Sequence, residues 1–268
     1  MAKPEIIKGY SGNGLPYARI GSGKPNLVIF DAISFVHKPP SAMQLRMMGS
    51  LYNLLAESFT VYVVGRKPGL PKGYSMRDMS NDYAVMIKSE METPVDVVGI
   101  STGGLIAQWF AIDYPELVNR LVLACSGYKL SDTGRYLQMK SGNYAREGKW
   151  RASSATMADA MFSGFTRVLF RSLFWLMGRA GWGLPEDASD GLVEIEAEDR
   201  HDFKEHLGEI KAAVLVIGGE LDKFYLIPET AEGIPGARLI LFKNTGHTAI
   251  MKRKFSEDIL AFLKEETV

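Results

Sequence analysis

The chain has 268 residues, 46% of them hydrophobic, which is enough to bury one large core and too apolar a mixture for a disordered segment. Lysine plus arginine and aspartate plus glutamate number 31 each, so the formal net charge is zero and the basic surface that a nucleic-acid binder needs is missing. The single cysteine, Cys125, has no internal disulfide partner, and no apolar run attains the roughly 18 to 20 residues of a membrane span.

In chain order, residues 5–10 and 16–20 flank Gly12-Asn13-Gly14 and read as an antiparallel hairpin. The opening Met1-Ala2-Lys3-Pro4-Glu5 carries no apolar leader, and with the lone cysteine it points to a cytoplasmic, reducing location. Asn26-Leu27-Val28-Ile29-Phe30 is a continuous run of the kind found in a strand buried on both faces. Met43, Met47, Leu51 and Leu54 recur at helical spacing and predict one helix over 41–57. A strand over 59–64, a helix over 76–91, a strand over 95–100 and a helix through Ala107, Trp109 and Ile112 follow. The next strand, 121–125, ends on Cys125, which reads as a buried core thiol.

There the alternation stops. Between 131 and 207 only helical stretches are predicted. One of them, containing Met157, Met161, Phe162, Phe165, Leu169, Phe170, Leu173, Phe174 and Met177, is rich in aromatic and methionine side chains until Gly178, Gly181, Gly183 and Pro185 break it. Strands over 213–217 and 238–242, a short helix from Pro228 and a terminal helix over 255–263 resume the pattern. Such alternation implies an α/β protein with a mostly parallel sheet covered on both faces. The expected organisation is a core of residues 1–130 and 208–268 with a helical insertion over 131–207.

Gly99-Ile100-Ser101-Thr102-Gly103-Gly104 has the G-x-S-x-G form of a nucleophile elbow and lies between a predicted strand and a predicted helix, as that turn requires. Small residues let the turn close tightly, and the helix N-terminus favours negative charge developing on the serine oxygen. A serine hydroxyl needs a base. Of four histidines, His247 follows a late strand in Asn244-Thr245-Gly246-His247, where it can reach back over the sheet edge. His201 and His206 lie in a charged stretch with Asp199, Asp202 and Glu205 and read as a solvated face, and His37 reads as a surface loop residue. Asp222, just past the strand 213–217, is the candidate acid that orients the imidazole, with Glu220 as its rival.

These residues carry a resemblance: the chain resembles the α/β-hydrolase superfamily, in its capped serine esterase and lipase-like branch. The opening hairpin, the elbow, Tyr114-Pro115-Glu116-Leu117-Val118, Gly219-Glu220-Leu221-Asp222 and Gly246-His247 all match, so the similarity spans nearly the whole length. It implies a three-layer fold with an eight-stranded sheet, and a helical cap where the insertion falls. It also implies a catalytic triad of Ser101, Asp222 and His247, in the chain order used by this fold. In the usual pattern His-Gly follows the third strand, whereas this chain has Asp31-Ala32-Ile33; the usual aspartate after the fourth strand is replaced by Gly65, followed by Arg66 and Lys67. Backbone amides of Ile33 and Thr102 are assigned by position to the oxyanion hole. Asp31 is expected either to pair with Arg66 or Lys67 and brace that loop, or to be an exposed aspartate without special partner.

The resulting expectation is a serine hydrolase that cleaves a carboxylic ester of a small or medium apolar substrate through an acyl-enzyme on Ser101. Carbon–carbon bond hydrolysis, lactone hydrolysis and acyl transfer on the same triad stay open, as does a non-catalytic ligand-binding or signalling protein of this fold. Dehalogenase and epoxide hydrolase chemistry is disfavoured, since those relatives carry aspartate at the elbow. No metal is implied, because no His, Cys and carboxylate cluster has ligand spacing, and no dinucleotide is implied, because Gly21-Ser22-Gly23 precedes a strand. The expected partner is a small acyl substrate rather than nucleic acid or membrane, with no statement on oligomeric state. The apolar insertion residues either line the pocket or glue the helices together, and Arg167, Arg171 and Arg179 either face solvent or meet an anionic substrate.

Overall fold

The computed structural model describes residues 4–162 and 164–265, so part of the expected leaderless start (residues 1–3) lies outside the described residues. Eight strands form one sheet: β1 (Ile6–Tyr10), β2 (Pro16–Ile20), β3 (Asn26–Phe30), β4 (Thr60–Val64), β5 (Val95–Ile100), β6 (Val118–Ala124), β7 (Ala213–Gly219) and β8 (Arg238–Phe242). Their spatial order is β1-β2-β4-β3-β5-β6-β7-β8. Only β1 with β2 and β2 with β4 pair antiparallel; the other five pairings are parallel.

The helices around it are α1 (Ala42–Met47), α2 (Gly49–Ala56), α3 (Met76–Glu90), α4 (Thr102–Asp113), α9 (Ile227–Gly233) and α10 (Arg253–Leu263). The pleat divides the core between them. Val28 and Phe30 of β3 pack with Met79, Tyr83, Phe110 and Ile227 on the α3, α4 and α9 side. Leu27 and Ile29 turn the other way, against Leu51, Leu55, Phe255 and Ile259 on the α1, α2 and α10 side. A strand clothed on both faces cannot alternate in polarity, which is why β5 is buried at every position. The amphipathic helices show the complementary stripe: α10 buries Phe255, Ile259, Phe262 and Leu263 at helical spacing.

One predicted helix is two. Met48, with φ −95° and ψ 10°, ends α1 and starts α2, so the apolar period spans a corner rather than one rod. Between β6 and β7 the described residues form four inserted α-helices, α5 (Asp132–Arg146), α6 (Trp150–Met161), α7 (Gly164–Trp182) and α8 (Ser189–Asp199). Gly178, at φ 51° and ψ −150°, kinks α7. Phe162 stacks on Phe170 with centroids 4.1 Å apart, whereas Phe165, Val168, Leu169 and Leu176 of the same segment are exposed. Among the described residues, no helix is long and apolar enough to cross a membrane.

The strand order places a switch point between β3 and β5, because the chain moves outward to β4 and then returns to the far side of β3. Loops leaving the carboxyl ends of β3, β5, β6 and β7 converge beside it, where open α/β sheets characteristically bind ligands.

Candidate active site

Ser101 stands where β5 turns into α4, at φ 52° and ψ −123°. Side-chain-bearing residues avoid that region, so the turn is strained and must be held by its surroundings. Packing supplies the hold. A Cβ on Gly103 would lie 2.0 Å from the Phe30 carbonyl oxygen, and one on Gly99 2.5 Å from the Gly104 Cα. The Ser101 amide donates to the Ala124 carbonyl at 2.9 Å, which ties the elbow to β6. Thr102 follows as the first residue of α4, whose opening amides have no carbonyl four residues back and carry the positive end of the helix dipole.

Beyond β7, the Leu221 amide donates to the Thr245 carbonyl at 2.9 Å and draws the two carboxyl-edge loops together. His247 Nδ1 then donates to Asp222 Oδ2 at 2.8 Å, with the carboxylate almost fully buried and the imidazole slightly exposed. The other Asp222 oxygen accepts the Phe224 amide at 2.7 Å and the Tyr225 amide at 3.3 Å. Glu220 turns elsewhere, accepting the Asn244 amide at 3.1 Å. Tyr225 links the halves of the site. Its ring centroid is 6.0 Å from that of His247, and its hydroxyl is 3.4 Å from Ser101 Oγ.

Against the elbow lies a buried carboxylate that sequence reasoning missed. Glu198 of α8 accepts from Thr102 Oγ1 at 2.8 Å, from Gln138 Nε2 at 2.7 Å and from the Tyr225 hydroxyl. Burial raises its carboxyl above the usual range, opposed by the bonds from Tyr225, Gln138 and Thr102. Four residues earlier on the same helix, Glu194 is also fully buried, bonded to Arg66 Nη2 and to His37 Nε2, the latter at 2.5 Å. Asp190, a further turn back, accepts the amides of Gly69 and Leu70 at 3.0 and 2.8 Å. The i, i+4, i+8 spacing of these acids was the available signal; the surrounding charge run disguised it.

This network corrects three expectations. Asp31 does not ion-pair with Arg66 or Lys67. Arg66 Nη1 instead donates to the Asp31 backbone carbonyl at 2.7 Å, and the Asp31 carboxylate accepts the Ala32 amide at 2.9 Å. Lys67 pairs with Asp82 at 2.8 Å. The loop is therefore braced, but through its main chain, because Glu194 claims the guanidinium. His37 is buried rather than on the surface, facing Glu194, the Lys67 carbonyl at 2.9 Å and the Ser34 carbonyl at 3.1 Å. Burial alone would lower its pKa; the bond and charge of Glu194 outweigh that and raise it. His201 is buried too. It accepts from Trp109 Nε1 at 3.3 Å, and desolvation lowers it to about 3, so it is neutral. His206 does remain exposed, paired with Glu209.

Ile33 borders a cavity of about 280 Å³ beneath the inserted helices, with Met157, Phe174, Leu184, Gln138 and Ser153 among its walls and no lysine, arginine or histidine among the described lining residues. Arg167, Arg171 and Arg179 are exposed and outside it, Arg171 paired with Asp159 and Arg179 with Glu186. The fold also gathers Cys125, Asp222 and His247, with one ligand atom of each within 4.8 Å of the others. Spacing along the chain did not show this cluster. His247 Nδ1 and Asp222 Oδ2 spend those atoms on each other, and burial pushes the Cys125 thiol up, leaving it a neutral S–H.

Comparison with known proteins agrees with this architecture. A 2-hydroxy-6-oxononadienedioate/2-hydroxy-6-oxononatrienedioate hydrolase from Pseudomonas sp. is 27% identical over 215 residues, covering 73% of this chain and 74% of that protein. Among solved structures, an enol-lactonase from Burkholderia xenovorans superimposes with a TM-score of 0.75 at 18% identity, covering 97% of this chain and 100% of the other. An esterase from Exiguobacterium antarcticum gives 0.74 at 18% identity, with 97% and 99% covered. The sequence model of the alpha/beta hydrolase fold matches residues 64–254. With more than half of its length in that match and the eight-stranded sheet beneath it, the chain belongs to the alpha/beta hydrolase family.

Proposed function

We propose that the protein is a serine hydrolase of small to medium apolar carboxylic esters, with Ser101 as nucleophile, His247 as base and Asp222 as the acid that orients it. The observations that carry this reading are the His247–Asp222 bond of 2.8 Å and a serine held in a strained strand-to-helix turn, with Tyr225 against both Ser101 and His247. In this mechanism Ser101 Oγ attacks the carbonyl carbon while its proton passes to His247 Nε2. The carbonyl electrons move onto oxygen, where the backbone amides of Ile33 and Thr102 receive them. Collapse expels the alcohol, which takes the proton from His247, and water attacks the acyl-enzyme by the same route.

Helices α5 to α8 act as the cap, and residues 131–207 as the segment that sets specificity. The apolar walls around Met157 and Phe174 support an uncharged acyl group. A dioate substrate like that named for the Pseudomonas relative carries two carboxylates, and the described residues lining the cavity include no cation to meet one. That contrast favours the ester over the carbon–carbon reading. The test is a p-nitrophenyl ester series of increasing acyl length, with Ser101→Ala as control. Hydrolysis with a short-to-medium optimum, abolished in the variant, is expected. Equal rates for wild type and Ser101→Ala at every length would sink the reading.

A further inference from the structure

The Asp222 loop delivers a second group to the nucleophile besides His247. By accepting the Phe224 and Tyr225 amides, Asp222 fixes the chain that carries the Tyr225 ring, whose hydroxyl is 3.4 Å from Ser101 Oγ. That is long for a hydroxyl bond, yet catalytic contacts often tighten only when substrate is bound. On its far side the same hydroxyl meets Glu198 Oε1, while Glu198 Oε2 is filled by Thr102 and Gln138. Ser101, Thr102, Gln138, Glu198 and Tyr225 are all buried, so bulk water does not complete these bonds.

Counting protons along this line gives two states. When Glu198 is ionised it is acceptor-only, and all three neighbouring donors are committed to it. Tyr225 then has only oxygen lone pairs to offer Ser101, and the serine proton is drawn towards Tyr225 and away from His247. One proton on Glu198 Oε1 reverses the line. Glu198 donates to Tyr225, Tyr225 donates to Ser101 Oγ, and the serine keeps its own proton free for His247 Nε2.

We propose that Tyr225 is a catalytic residue that donates a hydrogen bond to Ser101 Oγ as charge develops there, and that Glu198 is its positioning residue, whose proton sets the direction of the chain. The inference rests on Ser101 being the nucleophile. Tyr225 keeps its proton throughout: the bond from Oγ to the acyl carbon forms, the serine proton goes to His247, and the leaving alcohol takes it from there. Burial, then the nearby Glu198 charge, lifts the phenol well above its ordinary range, so it acts as a neutral donor rather than as phenolate.

The groups around Glu198 favour a carboxyl that titrates above the ordinary range. Desolvation is the main cause, and Glu194 on the same helix adds like charge, itself engaged by Arg66 and His37. Among the described residues its hydrogen-bond partners are the neutral Thr102 from α4, Gln138 from α5 and Tyr225 from the β7–α9 loop, with Asp222 and His247 beyond.

The test is the pH profile of kcat/KM with p-nitrophenyl butyrate for wild type, Glu198→Gln and Tyr225→Phe, alongside fluorophosphonate labelling of Ser101. Wild type should lose kcat/KM along an alkaline limb as Glu198 ionises. In Glu198→Gln the amide is a permanent donor to Tyr225, so the alkaline limb should vanish. Tyr225→Phe should also lose the alkaline limb and lower kcat on the order of 10- to 100-fold with KM little changed, as for loss of one transition-state donor. A Glu198→Gln enzyme that keeps the wild-type alkaline limb overturns the proposal, even with Ser101 labelled as expected. So does a Tyr225→Phe enzyme with wild-type kcat. Should Tyr225→Phe fail to fold, the isosteric Glu198→Gln decides alone. Wild-type enzyme unlabelled at Ser101 overturns both this inference and the reading beneath it.

Discussion

Single residues differ in how plainly their surroundings could be read from their neighbours in sequence. Ser101, His247 and Asp222 each follow a strand in a loop of small residues, and the structure puts all three at the carboxyl edge of the sheet, with Tyr225 against both Ser101 and His247. His201 lies in a charged stretch, which suggests exposure, but Trp109 and Phe203 enclose it. Its consequence is a pH dependence. Folded, His201 takes a proton only near pH 3; unfolded, it does so near its ordinary value of roughly 6.5. The unfolded chain therefore binds the proton first as pH falls, so the contribution is intact above about pH 6.5 and lost towards pH 3. The slope is about 1.4 kcal/mol per pH unit in that window. Urea unfolding of wild type and His201→Gln between pH 6 and pH 4 should show the wild type losing stability faster by about that amount. Parallel slopes would mean His201 is not buried neutral.

At the scale of elements, strands and helices were mostly legible because a sheet covered on both faces demands continuous apolar strands such as β3 and β5. The corner at Met48 was not legible, since Met43, Met47, Leu51 and Leu54 keep helical spacing on both sides of it. Helix α8 was the larger loss. In its charged sequence Glu196 and Asp199 do point outward, to Arg146 and Arg135, whereas Asp190, Glu194 and Glu198 face inward. Composition cannot separate the two sets; only the four-residue period does. Glu194 is the keystone, because it is the shared partner of the buried Arg66 guanidinium and the buried His37 ring. Glu194→Ala strands both and should cost about 3–5 kcal/mol in urea unfolding. Glu196→Ala, which breaks an exposed pair, should cost less than about 1 kcal/mol. Similar losses for the two variants would show that the buried pair is not what fastens α8 to the core.

For the whole molecule, topology accounts for where the candidate site lies, and selectivity is the role proposed for the insertion. The switch point between β3 and β5 opens the crevice, and the acids of α8 pin the inserted helices over it through Arg66, His37, Thr102 and Tyr225. The contacts of Thr102, Arg66 and His37 join residues 96, 128 and 157 positions apart, which no local pattern records. The family of the chain was nonetheless legible, because an elbow, an acid and a histidine in that order depend on strand ends alone. The reaction proposed for this site depends first on Ser101 being the nucleophile that carries the acyl group. Its most direct test is intact-mass and peptide mapping after reaction with a fluorophosphonate. One adduct is expected, on the peptide containing Ser101, absent in Ser101→Ala and slowed in His247→Ala; an unmodified protein, or an adduct that persists in Ser101→Ala, would rule Ser101 out as the nucleophile.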